Sequence, residues 1–124
     1  MKIVNLVARI LFGAAFVTSG LNFFSHFFDM PPMEGAPLAF MTGVSKASYF
    51  MPLLFATQAL CGLLILINKW QALATIMIFP VVLNIVLFHA SIEPKGLPMA
   101  LVFLAMNLIL ANANKEKYKA LLKA

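Results

Sequence analysis

The sequence predicts an all-α membrane protein, a four-helix transmembrane bundle in which neighbouring helices run antiparallel. Hydrophobic residues make up 63% of the 124 residues and charged residues only 10%, whereas soluble domains carry roughly 25% charge. The chain also contains four long uncharged runs. Each run approaches the roughly 20 residues that a helix needs to cross a bilayer core. This composition argues against a soluble domain.

Four spans are expected in a single membrane domain. They cover residues 6–28, 49–68, 70–90 and 96–114, with an outer loop at 29–48 and a basic tail at 115–124. Lysines cluster in the tail, Lys2 and Arg9 lie near the start, and Lys69 follows the second span. Because Lys and Arg concentrate in cytoplasmic segments of membrane proteins, both termini are expected in the cytoplasm.

The first span carries a face of small residues. Gly13 and Gly20 are seven residues apart and therefore share one helix face. Small residues let helices approach closely in lipid, so this face is predicted to pack against another span. A basic start before an apolar run also occurs in cleaved signal peptides. Here the apolar run continues well past Gly20, which favours a span.

The loop between the first two spans is rich in Pro and Gly, which break regular elements. Its apolar residues predict that part of it lies at the outer interface or caps the bundle, with a short helix from Pro37 to Ser45. A connector of this length is usually either functional or disordered. The loop is therefore a candidate lid.

Polar side chains near the outer ends of the spans form the main functional signal. Polar groups in hydrocarbon usually have partners or a task. Six residues are candidate ligand-binding groups, with the last at the rim: Asn22, His26, Gln58, Asn84, His89 and Glu93. They are expected to converge in the outer half of the bundle, with His89 as the principal group. The alternative is ordinary hydrogen bonding between helices, worth about 0.6 kcal/mol each.

Several chemistries are not supported by the residue pattern. Cys61 has no partner for a disulfide or a Cys-x-x-Cys pair. The net charge of +5 lies at the ends of spans, which indicates membrane orientation rather than nucleic-acid binding. The two histidines lack a closely spaced ligand pair, so no metal site is expected. No nucleophile elbow, phosphate loop or dinucleotide motif occurs, and no catalytic residue is assigned.

Phenylalanines surround the expected outer cluster: Phe23, Phe24, Phe27, Phe28, Phe40 and Phe88. Aromatic rings of this kind sandwich flat apolar molecules such as a quinone head group, whose carbonyls His and Asn side chains can bond. The same rings face lipid equally well, and an aromatic stripe is more often packing than a cofactor site. Both interpretations stay open.

Three segments resemble the DoxX-like family of small bacterial integral membrane proteins. They are residues 9–13 with 19–24, residues 58–66, and residues 84–89 with 94–98, and together they extend over nearly the whole chain. The resemblance implies a four-helix protein of the bacterial inner membrane, with relatives in thiosulfate:quinone oxidation and oxidative-stress complexes. It also implies that Asn84 and His89, together with Asn22, form a polar site. Gln58 stands where the family is expected to have Glu, so a possible proton acceptor is lost.

Two hypotheses follow from these observations. In the first, the protein is a quinone-linked redox subunit. His89 bonds the quinone or relays a proton to it, Asn84, Asn22 and Gln58 position it, and a partner holds the redox centre. In the second, the protein is a non-enzymatic assembly, anchoring or small-molecule-binding subunit whose outer pocket holds lipid or a partner helix. Both require a lipid bilayer and a protein partner or a second copy, and neither involves nucleic acid.

Overall fold

The structure is a computed structural model that describes residues 2–25 and 34–123. Within these residues the chain is helical and contains no β-strand, which confirms the all-α class. The elements are α1 (Lys2–Ser25), α2 (Gly35–Ser45), α3 (Phe50–Leu66), α4 (Gln71–Ser91), a 3-10 turn (Pro94–Gly96), α5 (Leu97–Ala113) and α6 (Lys115–Leu122). The short helix expected in the outer loop is therefore confirmed as α2. The basic tail forms α6.

Three segments are long and apolar enough to cross a membrane: α1, α4, and the 3-10 turn together with α5. The second predicted span is shorter than expected, because α3 has 17 residues. It reaches the required length only together with α2, and these two helices are bent by 96°. The described chain thus has three candidate spans, or four if the bent pair counts as one.

The turn between α3 and α4 explains why α3 is short. Asn68 and Trp70 both adopt the left-handed backbone conformation, with φ of 60° and 50°. An L-residue rarely adopts this conformation, although Asn tolerates it better than most. Two such residues within three positions end one helix and reverse the chain direction before the next. This tight reversal makes α3 and α4 antiparallel neighbours.

The small-residue face of α1 packs against α3, as predicted. A Cβ added at Gly13 would lie 2.9 Å from the Gly62 carbonyl oxygen, and one added at Gly20 would lie 2.6 Å from the Phe55 carbonyl oxygen. These distances show that the two backbones are in direct contact at both positions. Because the later residue of α1 meets the earlier residue of α3, the two helices run antiparallel.

One apolar core joins α1, α3, α4 and α5. Phe12 and Phe16 of α1 lie with their ring centroids 6.2 and 5.4 Å from the ring of Phe103 on α5. Ile65 of α3 and Ile78 of α4 are fully buried in the same core. Helix α1 contacts α3 and α5, and α4 contacts the same two helices. This packing leaves each helix with a wide outward face.

Few residues of the candidate spans are fully buried within the described chain. They make up 28% of the apolar 18-residue window of α1, 22% of that of α4 and 17% of that of the segment Pro94–Ala113. Large side chains such as Leu11, Leu87 and Val102 point outward. In water such a surface would be costly, because burying apolar area is worth about 25 cal/mol per Å². An exposed apolar surface of this kind is compatible with helices that cross a membrane.

Candidate functional site

The structure buries two of the predicted site residues and leaves a third exposed. Asn22 of α1 and Gln58 of α3 are 7% and 5% exposed, so both face the interior of the protein. Asn84 of α4 is exposed and does not lie in the interior with these two residues. The buried face of α4 includes Ile78 and Val82. Since each helical residue turns about 100°, a side chain two positions after Val82 points away from that face.

His89 lies half-buried in the last turn of α4, and its ring is engaged locally. Its Nδ1 atom is 3.0 Å from the backbone carbonyl oxygen of Glu93. Because a carbonyl oxygen only accepts, Nδ1 must carry the proton in this hydrogen bond, which makes Nε2 the acceptor in the neutral ring. A Cβ added at Gly96 would overlap the imidazole ring. The ring therefore fastens the turn between α4 and α5.

Glu93 meets His89 through its backbone, whereas its carboxylate takes no part in this contact. Its backbone angles, φ −132° and ψ 77°, lie outside the helical region. Proline disfavours helical geometry in the residue before it, and Pro94 follows Glu93 directly. The side chain of Glu93 is half-buried at the rim. His26, the remaining predicted site residue, lies outside the described residues.

Aromatic rings connect α2 with the C-terminal end of α4. The Phe40 ring centroid lies 5.1 Å from that of Phe88, and the Phe88 ring meets the His89 ring edge-on at 5.2 Å. On the other side, Phe23 stacks on Phe55 with centroids 4.7 Å apart. Helix α2 therefore lies against the end of the helices that carries His89, as the predicted cap would.

A second polar cluster lies at the opposite end of the helices, and sequence reasoning missed it. We call this end the basic end and define the cluster by Arg9, Gln71, Thr75, Asn107, Asn114 and Tyr118. The Asn114 Nδ2 atom donates to Gln71 Oε1 and to the Leu110 carbonyl, both at 2.8 Å. Tyr118 donates to the Ala72 carbonyl at 2.7 Å, and Asn107 donates to the Thr75 carbonyl at 3.4 Å. These bonds tie α5 and α6 to the start of α4.

Helical spacing is the sequence signal that identifies part of this cluster. Gln71 and Thr75 are four residues apart, and Asn107 and Asn114 are seven apart, so each pair lies on one helix face. Thr75 and Asn107 are each 1% exposed. The Thr75 hydroxyl and the Asn107 Oδ1 atom have no hydrogen-bond partner among the described residues. Burying such a group costs about 1–3 kcal/mol.

Tyr118 is the titratable group of the basic-end cluster. Burial raises the pKa of its hydroxyl, and the nearby Thr75 hydroxyl opposes that rise. Thr75 does not meet the geometry of a hydrogen bond to it. The Tyr118 proton is instead directed at the Ala72 carbonyl. The neutral form of Tyr118 is therefore the one that holds α6 against α4.

In the described part of the chain, two clefts open at the basic end. The larger encloses about 600 Å³ and is lined by Trp70, Leu73 and Lys117, among others. The smaller encloses about 270 Å³, and its polar lining residues are Lys2, Asn5, Arg9, Asn68 and Gln71. Asn68 and Gln71 border both clefts. Cations and amide groups thus surround open space at this end.

Comparisons with protein families, curated proteins and solved structures find no match. The chemistry of both ends therefore follows from their own residues. At the end of α4 that carries His89, the imidazole in its neutral form offers one hydrogen-bond acceptor, Nε2. At the basic end, cationic and amide donors surround a cleft that suits an anion.

Proposed function

We propose that the protein is a small multi-pass subunit of a bacterial inner-membrane complex, with a non-enzymatic role in assembly, anchoring or lipid binding. The observation that carries this proposal is the exposed apolar surface: fully buried residues make up at most 28% of the apolar 18-residue windows of α1, α4 and Pro94–Ala113, and large side chains such as Leu11, Leu87 and Val102 are exposed. Lipid and the helices of a protein partner, or of a second copy, are the surfaces that match it.

Four antiparallel spans with both termini in the cytoplasm are part of the proposal. Helix α3 is about 26 Å long at roughly 1.5 Å per residue, close to the 30 Å of a bilayer core. It packs antiparallel along α1 through Gly13 and Gly62, which supports a crossing beside α1. The 96° bend between α2 and α3 supports a position for α2 along the outer membrane surface.

The positions of three predicted site residues also support a non-enzymatic role. The His89 ring fastens the turn after α4, and Asn84 points away from the core. Gln58 is buried at the position where the DoxX-like family is expected to carry Glu. An amide neither accepts nor releases a proton near neutral pH, so this position does not serve as a general base. We place the chain among DoxX-like proteins on the resemblance described above.

A quinone-linked redox subunit is the second candidate, and one observation favours it. Asn84 and Phe88 are four residues apart on α4 and therefore share a face, and Phe40 of α2 adjoins Phe88. A flat head group against this face would meet an amide and two aromatic rings. The neutral His89 ring would accept a hydrogen bond from a hydroquinone hydroxyl through Nε2. The electrons would come from a partner protein that holds the redox centre.

Purification in mild detergent, followed by mass spectrometry of proteins and lipids, separates the two candidates. The proposal predicts a membrane protein or a second copy in fixed ratio, and no stoichiometric quinone. Stoichiometric quinone that is lost in a folded His89→Ala protein would establish the redox subunit instead. Gly96→Ala is the matched control, because it disturbs the same turn and keeps the imidazole. Quinone loss in both variants would show that quinone binding needs the intact packing of the imidazole on the turn, and not only the presence of the ring.

A further inference from the structure

The smaller cleft at the basic end has a composition that selects negative charge. We call it the basic cleft. It lies between the start of α1, the turn after α3 and the end of α5. Lys2 and Arg9 supply two cations, and three amide side chains line the remaining polar wall. No Asp or Glu of the described residues lines it.

Two hydrogen bonds hold the Arg9 guanidinium in place and leave some of its N–H donors available. Its Nη1 atom donates to the Leu66 carbonyl at 2.6 Å and to the Ile65 carbonyl at 3.4 Å. Both bonds use Nη1, so the N–H groups of Nη2 and Nε stay available for another acceptor. A guanidinium that is already ordered loses little side-chain entropy when it binds a planar or tetrahedral oxyanion. Arg9 therefore presents a preorganised cation to the cleft.

The hydrogen bonds of the cluster orient Gln71 as a donor. Asn114 Nδ2 donates to the Leu110 carbonyl, which fixes the orientation of the Asn114 amide. The same nitrogen donates to Gln71 Oε1 at 2.8 Å. With its oxygen engaged in this way, Gln71 turns its NH₂ group, a donor only, toward the remaining space. Gln71 adds hydrogen-bond donors to the two cations and favours an anion over a cation.

The surroundings reinforce this charge preference. Lys69 follows Asn68 in the same turn, and Lys115 and Lys117 begin α6. Glu116, the acid of this helix, forms an ion pair with Lys119 at 2.9 Å. Fields from clustered like charges raise the local concentration of counter-ions. The electrostatic environment of the cleft is therefore positive.

We propose that the basic cleft binds the phosphate of an anionic membrane phospholipid. This inference rests on the membrane placement proposed above, which puts the basic end at the cytoplasmic leaflet. Anionic lipids concentrate in that leaflet, and basic pockets between helices bind their head groups. Leu6 and Leu110 provide an apolar part of the wall, and Ile3 and Val7 are exposed beside it on α1. These side chains suit the glycerol and acyl region that follows a lipid phosphate.

Native mass spectrometry of the purified full chain with defined lipids tests this inference. The probes are phosphatidylglycerol, phosphatidylcholine and inorganic phosphate. We expect phosphatidylglycerol to bind at least about fivefold more tightly than phosphatidylcholine, because each cation near a membrane surface contributes about fivefold. Equal binding of the two lipids would overturn the inference. Inorganic phosphate that displaces phosphatidylglycerol at equal concentration would also overturn it, in favour of a soluble anion.

Charge variants locate the binding site. Lys2→Gln is expected to weaken phosphatidylglycerol binding about fivefold. Lys69→Gln is the matched control, since it removes one charge from the same end and does not line the cleft. If both variants lose the same amount of phosphatidylglycerol binding, the lipid is attracted by the overall charge of this end, and the proposed site is overturned. Arg9→Lys keeps the charge and removes the forked donor, so a folded Arg9→Lys protein is expected to lose phosphatidylglycerol binding as well.

The result of this test can be distinguished from that of the proposed subunit role. Lipid preference is measured on the isolated chain, whereas the subunit role is measured by the protein that copurifies. Loss of lipid preference in a chain that still copurifies with a partner overturns the inference alone. A chain that does not enter the membrane fraction overturns the proposed function as well.

Discussion

The Arg9 side chain of α1 donates a hydrogen bond of 2.6 Å to the Leu66 carbonyl at the end of α3. The last carbonyls of a helix have no partner within it and carry a partial negative charge. The Arg9 guanidinium donates a hydrogen bond to such a carbonyl and also places a positive charge beside it. This bond joins residues 57 positions apart and connects the start of the chain to the turn that borders both clefts.

Replacing Arg9 by Met tests this link. The variant keeps an apolar stem of similar length and removes both hydrogen bonds, so we expect a loss of about 1–3 kcal/mol in the free energy of unfolding. Thermal unfolding in detergent, followed by circular dichroism, measures the change. Lys69→Met removes a charge from the adjacent turn as the control. Equal stability of the two variants would show that the Arg9 bonds contribute nothing beyond charge.

The contact between α1 and α3 depends on the absence of a side chain at Gly20. A Cβ there would lie 2.6 Å from the Phe55 carbonyl and 2.7 Å from the Ala59 Cβ, so one of the backbones must move. We expect Gly20→Ala to destabilise the protein by about 1–3 kcal/mol. The measurement is the midpoint of thermal unfolding.

Gly43 of α2 provides the control for this substitution. A Cβ at Gly43 meets nothing within 4 Å, and alanine is the better helix former by about 1 kcal/mol. Gly43→Ala should therefore be neutral or stabilising. A Gly20→Ala protein as stable as Gly43→Ala would contradict the close approach of α1 and α3.

His89 and Gly96 form a pair whose effects should not be additive. Gly96→Ala places a methyl group where the imidazole lies, so it is expected to destabilise the turn by about 1–3 kcal/mol. Removing the ring in His89→Ala makes room for that methyl group. The double variant should thus be less destabilised than the sum of the single variants, as measured by chemical unfolding in detergent. Additive effects would show that the ring does not pack on Gly96.

Tyr118 makes the docking of α6 dependent on pH. Burial raises the pKa of its hydroxyl above the ordinary value of about 10. The contribution of Tyr118 to docking is therefore fully present below about pH 10 and is lost as pH rises through the raised value. Tyr49→Phe leaves Tyr118 as the remaining tyrosine of the chain. Tyrosinate absorbance of this variant should then titrate at a higher pH than free tyrosine.

Loss of the Tyr118 hydroxyl should loosen α6 at neutral pH. Tyr118→Phe removes the 2.7 Å bond to the Ala72 carbonyl, which is worth about 1 kcal/mol. Trypsin should cut within the lysine-rich α6 about fivefold faster in this variant, since cleavage requires the segment to open. Tyr49→Phe is the matched control, and cleavage at equal rates in the two variants would contradict docking through Tyr118.

Sequence patterns predicted the helices and the packing of α1, but they did not predict which face of α4 is buried. In a soluble protein polar residues mark the outer face of a helix. In α4 both faces are apolar, so the inward orientation expected for Asn84 had no support from periodicity. Pro94 indicates the local structure more reliably than hydrophobic periodicity does. A proline acts directly on the backbone of the residue before it, and Glu93 is indeed non-helical.

The basic-end cluster was missed because its members come from distant parts of the sequence. Gln71 and Asn114 are 43 positions apart, and each stands at the end of an apolar run where a polar residue is unremarkable. Arg9 was interpreted through its charge as a marker of membrane orientation. Its hydrogen bonds to the end of α3 depend on the packing of α1 against α3, which charge patterning does not contain.

The side of the membrane on which the C-terminus lies is the most direct test of the account. In a Cys61→Ala background, Lys123→Cys in the tail and Gly43→Cys in α2 can be labelled with a membrane-impermeant maleimide. Four spans predict that Gly43→Cys is labelled in intact spheroplasts, whereas Lys123→Cys is labelled only after permeabilisation. Labelling of Lys123→Cys in intact spheroplasts would contradict the placement of the basic end in the cytoplasm: together with labelled Gly43→Cys it would mean that three helices cross the membrane, and with unlabelled Gly43→Cys it would mean that the four spans are inverted.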